Sequence, residues 1–259
     1  METKSDTSHC EVKALEVKDL NKSFRSDFYK RPVQVLKNVN FTVNTGRFVG
    51  FIGPNGAGKT TTIKCLLEFI FPDKGEIKFL GEKNIIDAKR KIGFVPERPY
   101  FQEFLTGVEF LELHWKLCQM PSTQFKVRCA DILEQVKLAH AKDKKLRDYS
   151  KGMLQRIGIA QSLLCEPQFL ILDEPMSGLD PDGRILIKDI LKALKLKKLT
   201  VLMSSHLLED VEELCEDLII IHKGEILYSD GVQKFRSSYA TLEEAYRVFK
   251  GQIGVNYNV

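Results

Sequence analysis

Along most of this chain, segments with a strand-like pattern of hydrophobic and polar residues alternate with segments that have a helical pattern. Short apolar runs alternate with longer segments in which apolar residues recur at helical spacing. The clearest strand-like runs are RFVGFIG (47–53), KIGFVPE (91–97), QFLILDE (168–174), LTVLMSS (199–205) and DLIIIHK (217–223). Buried strands that alternate with helices predict an α/β fold with a mainly parallel sheet.

Two N-terminal segments show a different pattern, in which apolar and polar residues alternate one by one. These segments are LEVKDLNKSF (15–24) and VLKNVNFTVNTG (35–46). Such alternation predicts an antiparallel β subdomain with one solvated face. The shorter runs GEIKFLG (75–81) and GEILYSDG (224–231) are bounded by glycine and predict further strands or hairpin arms.

The middle of the chain, residues 98–165, contains no convincing strand. It contains helical runs at 104–117 and 125–138, so we expect a helical subdomain inserted into the α/β core. Near the C-terminus, Thr241 and Glu244 form the Thr-x-x-Glu pattern of a capping box, which predicts a C-terminal helix.

These patterns predict one domain over residues 1–259. Its core comprises residues 13–97 and 166–235, the helical subdomain is residues 98–165, and a C-terminal helix and tail occupy residues 236–259. This division treats the antiparallel β subdomain as part of the core.

The composition, 43% hydrophobic and 29% charged over 259 residues, is typical of a soluble globular protein. No apolar run approaches the roughly 18 residues that a membrane helix needs. The first ten residues lack the apolar region of a signal peptide, so secretion is not expected. Six scattered cysteines indicate reduced thiols rather than a zinc site. The net charge of +4 gives little support for a polyanion, and we expect no nucleic-acid partner.

The strongest motif is GPNGAGKTT, which follows the first buried run and precedes a helical one. Its form, G-x-x-x-x-G-K-[ST], is that of a phosphate-binding loop. Its glycines let backbone N–H groups point at phosphate oxygens, Lys59 supplies a positive charge to the β and γ phosphates, and Thr60 can place its hydroxyl on Mg²⁺. The candidate ATP-binding residues of this loop are Gly53, Asn55, Gly56, Ala57, Gly58, Lys59, Thr60 and Thr61.

A pair of acids, Asp173 and Glu174, ends the buried run at 168–174. Open α/β sheets bind ligands at the carboxyl ends of their strands. Neighbouring strand residues point to opposite faces, so the two acids are expected to have different tasks. We assign Asp173 to Mg²⁺ and Glu174 to a catalytic water aligned on the γ phosphate. The alternative, two acids that merely begin a loop, does not account for their place beside a phosphate loop.

His206 ends the run LTVLMSSH and precedes a helical pattern. A histidine at such a position is often only a helix-start residue. Here it is expected on the same sheet edge as Gly53 and Asp173, which favours a catalytic contact to the γ phosphate or to water.

The segment YSKGMLQR (149–156) begins a strongly amphipathic run. Ser150 can cap the first turn of a helix, and Lys151 and Gly152 keep that turn polar and slim. A helix N-terminus with exposed N–H groups attracts anions. These residues alone leave open which anion is bound.

Five motifs, GPNGAGKTT, YSKGMLQR, FLILDEP, SGLD and the SSH histidine, occur in an order and spacing that resemble an ABC transporter ATPase subunit. The resemblance extends from about residue 13 to residue 235. It implies a phosphate-loop ATPase that binds ATP and Mg²⁺ and lies at the cytoplasmic face of the cell membrane. It also implies an integral membrane permease as partner.

The resemblance gives YSKGMLQR the role of the family signature. Ser150, Lys151 and Gly152 are then expected to bind the γ phosphate held by the opposite subunit of a head-to-tail dimer, which is a homodimer or a pair of related subunits. Asp180, in SGLD, is expected at the same dimer interface.

Two positions depart from the family pattern. Glu97 stands where a glutamine is usual; a carboxylate there can bind Mg²⁺ or position water, and the alternative is an exposed loop acid. Phe24 best matches the aromatic residue that stacks on adenine, with Phe28 and Tyr29 as alternatives. Because stacking is indifferent to base identity, the sequence does not distinguish ATP from GTP.

The Ser-Lys-Gly-Met signature and the Pro-Glu pair resemble exporter-type cassettes and imply export of an unspecified substrate. Tyr100, Phe101 and Phe104 are expected either to receive a cytoplasmic helix of the permease or to fill the core of the helical subdomain. A soluble mechanical ATPase of the same superfamily is the main alternative function. Its relatives usually have two cassettes or long coiled coils, and this chain has neither. A small-molecule kinase would not require Glu174 or a signature helix.

Overall fold

The computed structural model describes residues 12–25, 29, 31–82 and 85–252. Its strands are β1 (Lys13–Phe24), β2 (Val33–Asn44), β3 (Phe48–Ile52), β4 (Lys74–Phe79), β5 (Ile92–Val95), β6 (Phe169–Asp173), β7 (Thr200–Ser205), β8 (Asp217–His222) and β9 (Glu225–Gly231). Its α-helices are α1 (Lys59–Leu66), α2 (Ile85–Lys89), α3 (Gly107–Leu117), α4 (Ser122–Gln135), α5 (Lys151–Leu163), α6 (Pro181–Leu196), α7 (Leu208–Leu214), α8 (Val232–Arg236) and α9 (Leu242–Gln252).

The larger sheet contains, within the described residues, six strands in the order β5-β6-β7-β3-β8-β9. All neighbouring strands are parallel except β8 and β9, which form an antiparallel edge pair. The predicted α/β fold with a mainly parallel sheet is therefore confirmed. Every residue of β3, β6 and β7 is buried, which explains why these strands read as continuous apolar runs in the sequence.

The N-terminal antiparallel sheet is also confirmed. In the described part of the chain it contains three strands in the order β2-β1-β4. The GEIKFLG run supplies β4, which pairs with β1, whereas the GEILYSDG run supplies β9 at the edge of the larger sheet. Alternating buried and exposed positions along β2 show that this sheet has one face in the core and one toward solvent.

The helical subdomain lies between β5 and β6 in the chain. Thr106 caps α3 in a complete capping box with Glu109, and the α3 side chains Phe110 and Trp115 are buried. They share one hydrophobic core with Ile132 of α4 and other residues of α4 and α5. Across the described part of this region the only β pairing is an isolated bridge between residues 106 and 145.

Two hydrophobic cores cover the two faces of the larger sheet. One contains residues of α3 to α7, and the other joins the antiparallel sheet to α1. Because β3, β6 and β7 are parallel, their carboxyl ends meet at one edge of the sheet. The structure contains, in its described ranges, no helix with the length and apolarity needed to cross a bilayer.

The segment after β7 is fixed to the body by a buried carboxylate. Asp210 of α7 has no exposed surface and pairs with Arg184 at 3.0 Å and with Lys188 at 2.9 Å, both on α6. Charge pairs of this kind hold α7 on α6. The start of α7 thereby sets the position of His206, which lies two residues before the helix at the carboxyl end of β7.

The predicted C-terminal helix is present as α9. The Thr241 hydroxyl accepts a hydrogen bond from the Glu244 N–H at 3.2 Å. The Glu244 carboxylate accepts from the Ala240 N–H at 3.1 Å, one residue earlier than in a regular capping box.

Candidate nucleotide-binding site

A cleft of about 870 Å³ opens at the carboxyl ends of β3, β6 and β7. The strand registers align Ile52 with Ser205 and Asp173 with Ser204, so the segments that follow these strands meet there. The predicted site residues that line this cleft are Gly53, Asn55, Gly56, Gly58, Lys59, Thr60, Thr61, Glu97, Glu174 and His206. Ala57 and Asp173 are buried beside the cleft, with exposed fractions of 3% each.

The loop between β3 and α1 requires glycine for steric and conformational reasons. Gly56 and Gly58 have φ angles of 77° and 114°, in the region that favours glycine. A Cβ atom at Gly53 would lie 2.3 Å from the Ile221 carbonyl oxygen, and one at Gly58 would lie 2.8 Å from Leu36 Cδ2. The loop can therefore pass close to its neighbours and present the first N–H groups of α1 to the cleft.

Lys59 places its ammonium group at the floor of this loop. The side chain is only 8% exposed, and Nζ donates to the Gly53 carbonyl oxygen at 2.7 Å. Glu174 Oε1 lies 3.9 Å from Nζ. The charge is thus held in place within a few ångströms of the loop, where a bound phosphate group would be.

Ser204 connects the two acids, a role that no sequence motif indicated. Its hydroxyl donates to Asp173 Oδ1 at 2.6 Å and accepts from the Glu174 N–H at 2.9 Å. Burial raises the pKa of the Asp173 carboxyl above its ordinary value; hydrogen bonds from Ser204 and Thr60 oppose this, and the charges of Glu174 and Glu97 reinforce it. The site therefore concentrates negative charge that a cation would stabilise.

Glu174 begins the segment after β6 in an unusual backbone conformation, with φ of 51°. This conformation turns its side chain toward His206, whose Nδ1 lies 2.6 Å from Glu174 Oε2. When the carboxylate is ionised, it can only accept this hydrogen bond, so the proton is on Nδ1. His206 thereby orients one oxygen of Glu174 and leaves the carboxylate within the cleft. Strained residues of this kind are often found at functional sites.

The donor set fits Mg²⁺, which prefers oxygen ligands and keeps several waters. Thr60 and Asp173 supply two oxygen donors that are hydrogen-bonded to each other, and the half-exposed side chain of Glu97 lies on the cleft wall. In the described ranges, no group of three or more His, Cys, Asp or Glu side chains is arranged to hold a metal ion. A cation here would therefore complete its coordination with phosphate oxygens and water.

The signature residues do not line the cleft of their own chain. The Ser150 hydroxyl caps α5 by accepting from the Met153 N–H at 3.3 Å. Outside its own stretch of helix, the nearest atom to a Cβ at Gly152 would be the Gly183 Cα, at 4.0 Å, so this position is open. The Lys151 ammonium lies against Gly178, where a Cβ atom would be 2.1 Å from Nζ.

Asp180 begins α6 as its N-cap and accepts a hydrogen bond from the Gly183 N–H at 3.3 Å. Its side chain has a structural role within its own chain and does not line the cleft. The expected role of Asp180 at a dimer interface stays a prediction.

Phe24 is not among the residues that line the cleft. Its ring is 39% exposed, and Lys22 Nζ lies 5.5 Å from the ring centroid. The alternative Tyr29 is 97% exposed, and Phe28 is outside the described residues. Adenine stacking on Phe24 therefore stays a prediction. The aromatic residue that does line the cleft is Tyr246 of α9, which no sequence motif marked.

The fold and this cleft define a phosphate-loop nucleotide-binding protein, and comparisons with known proteins identify its family. The family model described as ABC transporter matches residues 36–177. An uncharacterized ABC transporter ATP-binding protein of Nostoc sp. (strain PCC 7120) is 41% identical over 227 residues, which cover 86% of this chain and 68% of that protein.

Two further comparisons agree. The bacitracin transport ATP-binding protein BcrA of Bacillus licheniformis is 40% identical over 196 residues, which cover 74% of this chain and 63% of BcrA. A solved structure of an ATP binding subunit of an ABC transporter superposes with a TM-score of 0.79 at 31% identity, covering 92% of this chain and 99% of that one. The chain therefore belongs to the ABC transporter family, as an ATP-binding and ATP-hydrolysing transporter subunit.

Replacement of the buried Asp173 carboxyl by an amide is not expected to lower stability at neutral pH. Asp173→Asn keeps an acceptor for the Ser204 hydroxyl and removes a carboxylate whose ionised form the folded protein disfavours. Because its pKa is raised, this carboxyl binds protons more tightly in the folded state, and its contribution to stability falls as pH rises through that pKa. At neutral pH, the variant should melt at or above the parental temperature in calorimetry.

The same variant should lose most of the effect of Mg²⁺ on ATP affinity. We expect the Mg²⁺-dependent gain in affinity to fall by about tenfold or more, which corresponds to ~1.4 kcal/mol. Titration of a fluorescent ATP analogue with and without Mg²⁺ measures this gain. Asp143→Asn, at an exposed site, is the matched control. A parental Mg²⁺ effect in Asp173→Asn would exclude Asp173 as a ligand.

Proposed function

We propose that this chain binds ATP with Mg²⁺ between two subunits in a head-to-tail dimer and powers export by a separate membrane-spanning partner. The main support for this proposal is that, within one chain, the signature residues lie apart from the phosphate loop and the catalytic residues. The phosphate loop, Glu174 and His206 share one cleft, whereas Ser150, Lys151 and Gly152 lie outside it. A second chain is then needed to bring a signature helix to each site.

The cleft supports hydrolysis by positioning and electrostatics. Backbone N–H groups after Gly58 and the Lys59 ammonium bind the phosphates. Glu174 accepts a hydrogen bond from the attacking water and then its proton, while His206 fixes the orientation of the carboxylate. Bound Mg²⁺ would supply charge neutralisation of the β and γ phosphates, held by Thr60 and Asp173 with Glu97 nearby.

The N-terminus of α5 is suited to act in trans. Ser150 is exposed and extended, and the first N–H groups of α5 have no acceptor within the helix backbone. Gly152 has open space where a side chain would be, so a phosphate held by another chain can approach the backbone closely. Lys151 is turned toward Gly178 of its own chain and is expected to tie the signature to the SGLD loop.

The exposed aromatic residues after Glu97 support a membrane partner. Tyr100 is 90% exposed and Phe104 is 68% exposed. Phe101, in contrast, is buried and packs edge to face on Phe110 at 5.3 Å between ring centroids. The three residues thus divide between the two expected roles: Phe101 fills the core, and Tyr100 and Phe104 remain available to a cytoplasmic helix of a permease.

The location and direction of transport follow from this assignment by analogy. A subunit that docks on the cytoplasmic part of a permease lies peripherally on the inner face of the cell membrane. The Ser-Lys-Gly-Met signature and the Pro-Glu pair before Arg98 support export, because they resemble exporter-type cassettes. BcrA, named for bacitracin transport, is a relative for which a transport role is stated.

Glu174→Gln tests the hydrolytic part of the proposal. The amide keeps the shape of the side chain but cannot accept a proton from water. ATP binding should stay within experimental error of the parent, and the rate of phosphate release should fall by about 100-fold, or ~2.7 kcal/mol of barrier. Size-exclusion chromatography with ATP and Mg²⁺ should show a stable dimer. Parental turnover by the variant would remove Glu174 from the mechanism.

Tyr100→Ala and Phe101→Ala form a matched pair that tests docking. Loss of an exposed ring should leave the melting temperature unchanged, whereas loss of the buried Phe101 ring should cost about 3 kcal/mol of unfolding free energy. Tyr100→Ala should bind ATP normally and recover less membrane partner in co-purification from detergent. If Tyr100→Ala recovers the partner at the parental level, this surface is not the docking site.

A further inference from the structure

The wall of the nucleotide cleft includes a residue that belongs to none of the ATP-binding motifs. Tyr246 lies on α9 and lines the cleft together with His206 and Leu208. In sequence it follows Lys59 by 187 residues (246 minus 59) and follows the last motif residue, His206, by 40 (246 minus 206). The fold, rather than any local motif, brings it to the site.

Tyr246 is held in this position by packing on both sides of it along α9. One turn earlier, Leu242 is buried, and its N–H donates to Glu212 Oε2 at 3.0 Å. The other oxygen of Glu212 accepts from Arg236 at 3.0 Å. One turn later, the Phe249 ring packs on Phe235 at 5.2 Å between centroids. The helix is thus fixed to α7 and α8, and the ring of Tyr246 is set at the cleft.

The surroundings of Tyr246 are suited to an anionic ligand with a flat base. Lys250 Nζ lies 4.8 Å from the centroid of the Tyr246 ring. The pKa of His222, at the end of β8, is lowered by burial and by the positive charges of Lys223 and Lys250. Positive charge therefore lies next to the aromatic ring that lines the cleft, a combination found in sites that bind nucleotides.

We propose that Tyr246 contacts the nucleotide bound by its own chain and that α9 is thereby stabilised when nucleotide binds. The inference rests on the proposed ATP site and adds to it an aromatic contact from the C-terminal helix. The ring buries apolar surface against the ligand, and its place on a packed helix means that no loop has to be ordered first. Nucleotide binding and the docking of α9 then favour each other, because each stabilises the other's contact surface.

Tyr246→Leu is the variant that tests this contact, because leucine retains apolar packing and helix propensity but lacks the ring. Titration of the full chain with a fluorescent ATP analogue and Mg²⁺, at concentrations where it is monomeric, should show affinity weakened by about threefold to tenfold. Tyr246→Phe should bind like the parent. Tyr239→Ala, at a half-buried tyrosine outside the cleft, is the matched control and should have no effect.

Hydrogen exchange provides a readout that does not depend on affinity. With saturating non-hydrolysable ATP analogue, amides of residues 242–252 should become better protected in the parent and in Tyr246→Phe, and clearly less so in Tyr246→Leu. Melting temperatures of all variants without nucleotide identify any loss of folding. If Tyr246→Leu fails to fold, hydrogen exchange of Tyr246→Phe with and without nucleotide still tests the proposal. Protection of α9 that does not change when nucleotide binds would contradict it.

The outcomes separate this inference from the ATP site itself. Lys59→Ala should abolish binding; if it binds normally, the ATP site is wrong. If Lys59→Ala abolishes binding but Tyr246→Leu binds as the parent does, the ATP site stands and the Tyr246 contact is wrong. If Tyr246→Leu weakens only ATP-driven dimerisation, Tyr246 faces a second copy and the contact within the chain is likewise excluded.

Discussion

The Ser204 hydroxyl bonds at once to the Asp173 carboxylate, at 2.6 Å, and to the Glu174 N–H, at 2.9 Å. The register of β6 against β7 places Ser204 beside Asp173, and this pair of bonds ties both acids to the end of β7. Glu174 can then adopt its left-handed backbone and meet His206, which the next strand places two residues after Ser204. One hydroxyl group thus bonds to both acids, although Asp173 is buried and Glu174 faces the cleft. The proposed roles of Asp173 in metal binding and of Glu174 in water activation both depend on this division.

The sequence alone predicted the parts of the fold that have strong periodicity. The runs at 47–53, 168–174 and 199–205 became β3, β6 and β7 because strands buried on both faces need continuous apolar residues. The phosphate loop was predicted because its glycines and Lys59 are adjacent in sequence, and close backbone passage at Gly53 leaves no room for a side chain. Local chemistry of this kind can be read without knowing the tertiary structure.

Contacts between distant segments were not predictable in the same way. In the sequence, nothing distinguishes Ser204 from other strand serines, and its role depends on β6 lying beside it. The contact of Lys151 with Gly178 depends on how α5 packs against the loop before α6. Phe101 and Tyr100 are neighbours in sequence, yet one is buried and the other exposed. Tyr246 reached the cleft only through the packing of α9. In each case the decisive information is a tertiary neighbour.

Mixing two inactive variants tests whether each ATP site needs motifs from two chains. Lys59→Ala removes the charge from the phosphate loop, and Gly152→Asp adds bulk and a repelling charge at the open signature position. A mixed dimer has both lesions in one site and leaves the other site intact. If the signature acts across the dimer and one intact site suffices for turnover, each variant alone should be inactive and steady-state ATPase activity should reappear on mixing. A Gly152→Asp protein with the parental rate would contradict the trans role of the signature. An inactive mixture in which crosslinking demonstrates mixed dimers would mean either that both sites must work together or that the signature does not act in trans.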